Sequence, residues 1–355
     1  MAEFVTVKVN GQNYSAWKEI KILGGVNKAC RGASIVCAAA LGAAASNALF
    51  AGFTPVQIYA SPVEGAQGDL LVDGYIDGRV DQLRAAHKMV KVRSKAQDAV
   101  DCSCDPKGGE LRNMTPLQIA QKLDIYNVGF TSSATMKPIP SFRVTTGESL
   151  FRAVERACRD QQLTLHGAPS GIELWNAKTS LQRHAGGLYE GQNLEDLILP
   201  HDWSNRHSRV KAHGQKVDGH GPGSLQLAGA ADDPTVPRFR MKILAHDADT
   251  DEPRINAKAQ NHRDRAAGNS LKGVAEVATW RDEGGTIWTP GFRVWTESLF
   301  CDIAQDMIVE SFEFSQDEGG QGTKAHLHLV DPRAYGGKKG KGNQSGSGWD
   351  MPSDS

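Results

Sequence analysis

Residues 4–9 read Phe-Val-Thr-Val-Lys-Val, so Val5, Val7 and Val9 share one face while Thr6 and Lys8 share the other. That period of two is the pattern of a half-buried strand. Asn10-Gly11 follows, the dipeptide best suited to the left-handed positions of a tight hairpin turn. Further strands are predicted at 33–38, 55–60, 69–80 and 87–96. Several short strands separated by turn residues point to a small barrel or sandwich.

The texture changes near residue 102. Thr115 suits a helix N-cap and Pro116 the first helical position, with Leu117, Ile119, Ala120 and Leu123 supplying a buried face. A second helix is predicted from about Gly147-Glu148, where Leu150, Val154, Ala157 and Cys158 recur at helical spacing opposite Arg152, Glu155, Arg156 and Arg159. Leu163 to Leu165 and Ile172 to Trp175 flank Ala-Pro-Ser-Gly and read as a hairpin. From about residue 191 the strand pattern returns, at 207–213, 238–245, 273–280, 292–297, 307–315 and 324–330. A polar stretch near 253–272, rich in Ala, Lys and Arg, reads as a solvated helical insertion capped by Asn256. These patterns predict a mainly β chain with α+β content. The expected divisions are a first β domain at 1–101, an α+β module at 102–190, a second β domain at 191–335 and a flexible tail at 336–355. The tail is almost free of apolar residues and cannot offset the entropy of ordering.

Composition narrows the function classes. Across 355 residues, 39% hydrophobic and 23% charged content is enough to bury real cores. Lys plus Arg (40) balances Asp plus Glu (41), so there is no overall charge to attract nucleic acid or an anionic membrane. Residues 33–53 carry no charge, but their Ala, Gly, Ser and Asn gain little in hydrocarbon, so stable membrane insertion is not expected. No secretory leader is evident in the first 20 residues, which include Lys8, Lys18 and Glu19. The six cysteines are scattered and read as reduced thiols, and Cys102-Ser103-Cys104 has no second pair with which to hold zinc.

Candidate chemistry is thin. No GxSxG elbow, HExxH helix or P-loop is present, and Lys338 to Gly342 does not form one. Asp247, Asp249 and Asp251 alternate as at the start of a calcium loop, yet Glu252 stands where glycine is needed and Lys258 where a bidentate glutamate is needed. His326 and His328 share a strand face but lack a third ligand. His201, Asp202, His207, His213 and His220 fit no metal-ligand spacing. Trp280, Trp288, Phe292 and Trp295 suit either a sugar-stacking platform or a β core, and the core is the favoured reading. Pro290 marks a strand edge or break. Glu148, Glu155, Glu173 and Asp160 would be the carboxylates of a glycan-hydrolysing alternative. The expectation is no catalytic, cofactor or metal site, hence no enzyme and no cofactor.

The order of several short pieces carries more. Gly74-Tyr75-Ile76-Asp77-Gly78-Arg79, Asp101-Cys102, Asn113 to Ala120, the 148–157 helix, Gly191 to Leu194, Arg206-His207-Ser208, Trp280, the Gly285 to Pro290 stretch with Trp288, and Asp331-Pro332-Arg333 follow one another at the expected spacing. In this the chain resembles the baseplate hub protein family of contractile-tailed phages, on the pattern of phage Mu and more distantly of the T-even phages. Gly74, Tyr75, Asp77, Trp280, Trp288 and Pro290 are the motif residues on which the resemblance leans most. The resemblance implies two β-barrel tube domains with smaller modules attached. It also implies a homotrimer whose six similar barrels surround a channel, reconciling a threefold spike with a sixfold tube. The implied partners are a central spike protein, the tail tube and other baseplate proteins, with DNA passing through without specific binding. The implied location is the virion, after assembly in the host cytoplasm. The alternative is a glycan-binding or peptidoglycan-degrading tail component.

Overall fold

The computed structural model describes residues 3–38, 47–105, 109–159, 161–178, 182–215, 227–249, 252–317, 322–336 and 342–343. The opening strands are β1 (Phe4–Val9), β2 (Gln12–Tyr14), β3 (Trp17–Gly25), β4 (Gly32–Ala38), β5 (Pro55–Ser61), β6 (Asp69–Gln82) and β7 (His87–Ser94). Next come α1 (Ala96–Asp101), β8 (Glu110–Met114), α2 (Pro116–Leu123), β9 (Phe130–Thr131), β10 (Ile139–Arg143), α3 (Leu150–Arg159), β11 (Thr164–Ala168) and β12 (Gly171–Trp175). The rest are β13 (Arg183–Tyr189), β14 (Asp196–Ile198), β15 (Arg209–Gln215), β16 (Leu227–Asp232), β17 (Met241–Asp249), α4 (Glu252–Asn269), β18 (Lys272–Val277), β19 (Arg293–Ser298), β20 (Ile303–Asp317) and β21 (Gly322–Val330). Of the described residues 49% are strand and 16% helix, so the fold is mainly β. It forms two compact units, one of residues 1–196, 275–294 and 309–328, the other of 197–274, 295–308 and 329–355.

In the first unit, the strand order β20-β3-β4-β7-β6-β5-β1-β2 makes one antiparallel sheet. Its β1–β2 hairpin turns at Asn10 (φ 48°) and Gly11 (φ 78°), so the predicted Asn-Gly turn takes the two left-handed positions it favours. Alternate residues build the core: Val7, Val9, Ile20, Ile22, Ile35, Val56, Ile58, Val72, Ile76, Val90 and Val92 are at most 3% exposed. Each such side chain contributes about 1.5–3 kcal/mol through burial. Where β6 meets β7 the backbones come so close that a Cβ on Gly74 would lie 1.9 Å from the Arg93 carbonyl oxygen. Only glycine fits there.

The α+β module packs two small sheets on its helices. β8 pairs with β10, and β12 lies between antiparallel β11 and parallel β9. Thr115 caps α2 in a complete capping box with Gln118. β11 and β12 turn over Pro169-Ser170, with Ala168 facing Gly171, as the sequence predicted. The predicted strand at 87–96 instead ends at Ser94, because Ala96 and Ala99 are needed as the small buried face of α1.

In the second unit, β15 runs between antiparallel β16 and parallel β17. α4 covers one face of this sheet through Ile255 and Ala259, which meet Val210, Ala212 and Ala231. The helical insertion is therefore present but not merely solvated. Asn256 is also not its cap: the helix begins at Glu252, and the Asn256 side chain accepts a hydrogen bond from Ala230 N at 3.3 Å, fastening helix to strand. Gly268 makes room for a 3-10 turn, Pro332–Tyr335, since a Cβ there would lie 2.1 Å from Ala334 N.

Candidate functional site

The motif residues divide into those that hold the first unit together and one that lies on its surface. Trp280 is fully buried, stacks on Phe314 (centroids 5.0 Å apart, planes at 15°) and donates its indole N–H to the Lys324 carbonyl at 2.8 Å. Phe314 stacks in turn on Phe312 at 4.1 Å. Trp288 is buried too, donating to the Thr279 carbonyl at 3.0 Å, and Pro290 is buried beside it. Trp280 and Trp288 are core, as the sequence favoured, whereas Phe292 and Trp295 are only half-buried. Gly74 provides the close strand approach described above. Tyr75 is half-buried on β6. Asp77 is exposed and accepts from Arg93 at 2.7 Å, and Arg93 also reaches Asp101.

Next to Trp280, Arg281 anchors a network with no sequence signature. Its guanidinium meets Glu3 at 2.8 Å and Asp69 at 2.7 Å, and donates to the carbonyls of Ala60 and Gly285. Burial raises the Glu3 carboxyl despite that partner. Such a buried pair adds little net stability, but losing one member strands the other. It therefore fixes which segments meet.

His184 and Asp282 look at first like two members of a catalytic triad, 2.9 Å apart and both buried. Their hydrogen bonds exclude that role. Nδ1 of His184 donates to Asp282, and Nε2 accepts the Thr289 N–H at 3.1 Å, so no ring nitrogen is left to take a proton from a nucleophile. Burial lowers the His184 pKa and keeps the ring neutral. Burial pushes the Asp282 carboxyl up, but hydrogen bonds from His184, Thr286 and Ala185 outweigh it and hold the pKa low. The pair is a turn fastener for 282–289.

Several of the remaining candidates are engaged in pairs. Glu148 pairs with Arg156 at 2.8 Å and Glu155 is exposed on α3, while Asp160 lies outside the described residues. Burial pushes the Cys158 thiol up to about 12, which removes it as a nucleophile. His326 meets Glu276 at 3.2 Å, and Lys324 pairs with the same carboxylate. His207 and His262 approach within 6.5 Å, and His201 stacks on Trp203. Among the described residues no His, Cys, Asp and Glu group is placed to hold a metal ion. His220, Asp251, Lys338 to Lys341 and the Ala-rich 39–46 lie outside the described residues. No described helix is long and apolar enough to cross a membrane.

In the second unit, basic and apolar side chains stay open to solvent. A groove of about 690 Å³ is lined by Trp203, Arg206, Arg238 and Arg240 among others. Arg206 is tied to Asp233 at 2.8 Å, and Arg240 donates to the carbonyls of Trp203 and Ser204. Just beyond it Phe239 (77% exposed), Met241 (43%) and Ile243 (55%) stand in the open.

Comparisons with known proteins agree with a scaffold. Residues 96–172 match the family model described as "Baseplate hub protein gp44-like, second domain", which begins where α1 begins. The baseplate hub protein gp44 of Escherichia phage Mu is 25% identical over 303 residues, covering 80% of this chain and 79% of the relative. A 43 kDa tail protein of prophage MuSo2 from Shewanella oneidensis superposes with a TM-score of 0.78 at 19% identity, covering 94% of this chain and 99% of that one. A tail protein from Neisseria meningitidis gives 0.75 at 17% identity, covering 95% and 100%. The chain is thus similar to the baseplate hub protein of phage Mu, matches that hub family's second domain over residues 96–172, and shares the fold of phage tail proteins.

Proposed function

We propose that this chain is a baseplate hub subunit that works as a homotrimer, forming a ring that joins the tail tube to the central spike and lines the DNA channel. The observation that carries this reading is kinship with the phage Mu hub protein along 80% of the chain. The geometry supports it, because the buried polar groups around Arg281 and His184 fasten backbone and leave nothing poised for chemistry. On this reading residues 1–101 and 191–335 form the two tube domains, barrels side by side, and 102–190 decorates them. A net charge of -1 suits a wall that lets DNA pass without gripping its phosphates. Subunits assemble in the host cytoplasm and end in the virion baseplate.

Light scattering on the purified full chain, alone and mixed with the spike protein of the same phage, tests this. The expected particle has three times the 38.3 kDa chain mass. A chain that stays monomeric in both samples overturns the trimeric hub.

A further inference from the structure

Beyond the 3-10 turn at Pro332–Tyr335, the chain is fastened to the second unit once more. Gly342 forms an antiparallel bridge with Gln305, near the start of β20. Asn343 closes the clasp. Its backbone N–H donates to the Ala304 carbonyl at 3.2 Å, its Oδ1 accepts the Ala304 N–H at 2.9 Å, and its Nδ2 donates to the Asp302 carbonyl at 3.0 Å. Position 342 admits only glycine, since φ is 132° and a Cβ there would lie 2.0 Å from that of Gln305. The hydrogen bonds and the steric fit make this a defined contact within a Gly- and Lys-rich stretch.

The clasp sits beside an apolar tip. β19 and β20 are joined by a turn in which Asp302 N–H donates to the Leu299 carbonyl, and Leu299 and Phe300 are 94% and 90% exposed. Because the bridge is antiparallel, the residues after Asn343 set out back alongside Asp302 and towards Phe300. Residues 344–355 lie outside the described residues, and their sequence is Gln-Ser-Gly-Ser-Gly followed by Trp349-Asp350-Met351. Trp349 and Met351 are the only large apolar residues after Tyr335. Gly/Ser spacers behave as random coils, and six residues of one span about 13 Å end to end. Such a tether keeps an attached side chain at a millimolar effective concentration around its anchor, so even a weak apolar contact is populated. We propose that Trp349 and Met351 fold back onto Leu299 and Phe300, so that the end of the chain covers its own β19–β20 tip. An indole and a thioether placed against Leu and Phe remove apolar surface from water on both sides of the contact.

The test places a benzophenone amino acid at position 349 of the full chain. The protein is irradiated in dilute solution with an equal amount of isotope-labelled chain, digested, and its cross-linked peptides are read by mass spectrometry. The dominant cross-link is expected within one chain, on the peptide that carries Leu299 and Phe300. The double variant Leu299→Ser, Phe300→Ser should lower its yield about fivefold by removing the apolar surface. Gly342→Val, which displaces the clasp, should lower it about fivefold through the lost effective concentration. Circular dichroism melting confirms that each variant keeps its fold, and Asn343→Ala serves if the valine variant is unfolded. In protein without the cross-linker, Trp349→Ser, Met351→Ser should speed chymotryptic cleavage after Phe300 by about fivefold, as the uncovered tip becomes accessible. A dominant cross-link elsewhere in the chain, such as the exposed 239–243 segment, overturns the proposal, as does a yield indifferent to both variants. Cross-links between labelled and unlabelled chains also overturn it, because the tip is then a contact between copies. Cleavage after Phe300 that is unchanged by the serine variant has the same consequence.

Discussion

The α+β module and the sheet of β15–β17 are built from the same parts, short strands under a helix, yet they bury very different amounts. Among the described residues the module's core holds Leu111, Ile119, Leu123, Phe130, Phe142, Leu150, Leu165, Ile172 and Leu174, with Val and Ala between them. The core under α4 is Val210, Ala212, Ala231, Ile255 and Ala259, three of the five being alanine. The module also closes its ends, with a capping box on α2 and an Arg156–Glu148 pair on α3. The β15–β17 sheet leaves apolar residues exposed at its edge instead. A scaffold needs elements that set geometry and elements that wait for a neighbour, and the division between large and small buried side chains marks which is which.

The largest expected effect breaks the comparison if it fails. Leu150→Ala removes a fully buried side chain of α3 in a crowded core and should cost about 3 kcal/mol in urea denaturation. Ala259→Gly, in the small core of α4, removes one methyl and adds backbone freedom, for about 1 kcal/mol. If the glycine variant loses as much as the alanine variant, the β15–β17 region is as tightly determined as the module.

A middle-sized effect comes from acid. His166 lies on β11 and is 3% exposed, and burial, followed by the charge of Arg31, pushes its pKa down to about 4 from 6.5. Glu173 is 3.6 Å away, too far for a hydrogen bond, so it does not rescue the charged ring. The folded pKa is below the unfolded one, so below pH 6.5 the unfolded chain binds a proton that the folded chain refuses. Stability from this group falls as the pH drops from 6.5 towards 4 and levels off below that. Between pH 7 and 5 the stability gap between wild type and His166→Phe should move by roughly 2 kcal/mol against wild type. A gap independent of pH would show that the ring is already charged or solvated.

Local signals were legible in the sequence. The Asn10-Gly11 turn, the Thr115 cap, the 169–170 turn and the polar helix at 252–269 all follow from residues within a few positions of one another. The tryptophan core was legible too, because Trp280 and Trp288 carry large apolar rings that a β-rich chain tends to bury. The Arg281–Glu3 pair was not, since its members are 278 residues apart and a lone Arg281-Asp282 dipeptide reads as surface. His184 and Asp282, 98 residues apart, were missed for the same reason. Asn256 misled because an asparagine near a helix start is a good cap in isolation. Only the position of β16 shows that its amide is engaged elsewhere. The exposed column on β17 was predicted as a strand, but which face is covered depends on α4.

The smallest expected effect sharpens the comparison most. Met241 and Ile243 are 43% and 55% exposed, so removing their apolar ends forfeits little burial. Threonine keeps strand propensity, and at Ile243 it also keeps the β-branch. The double variant Met241→Thr, Ile243→Thr should therefore shift unfolding stability by less than about 0.5 kcal/mol, the range of ordinary surface changes. It should also raise the protein concentration at which the chain begins to aggregate, because an apolar edge strand is a template for pairing. Urea denaturation gives the first quantity and turbidity against concentration the second. A loss above about 1 kcal/mol would mean that these side chains are packed by the chain itself. The edge would then belong with the module, among the parts of the fold that need no neighbour.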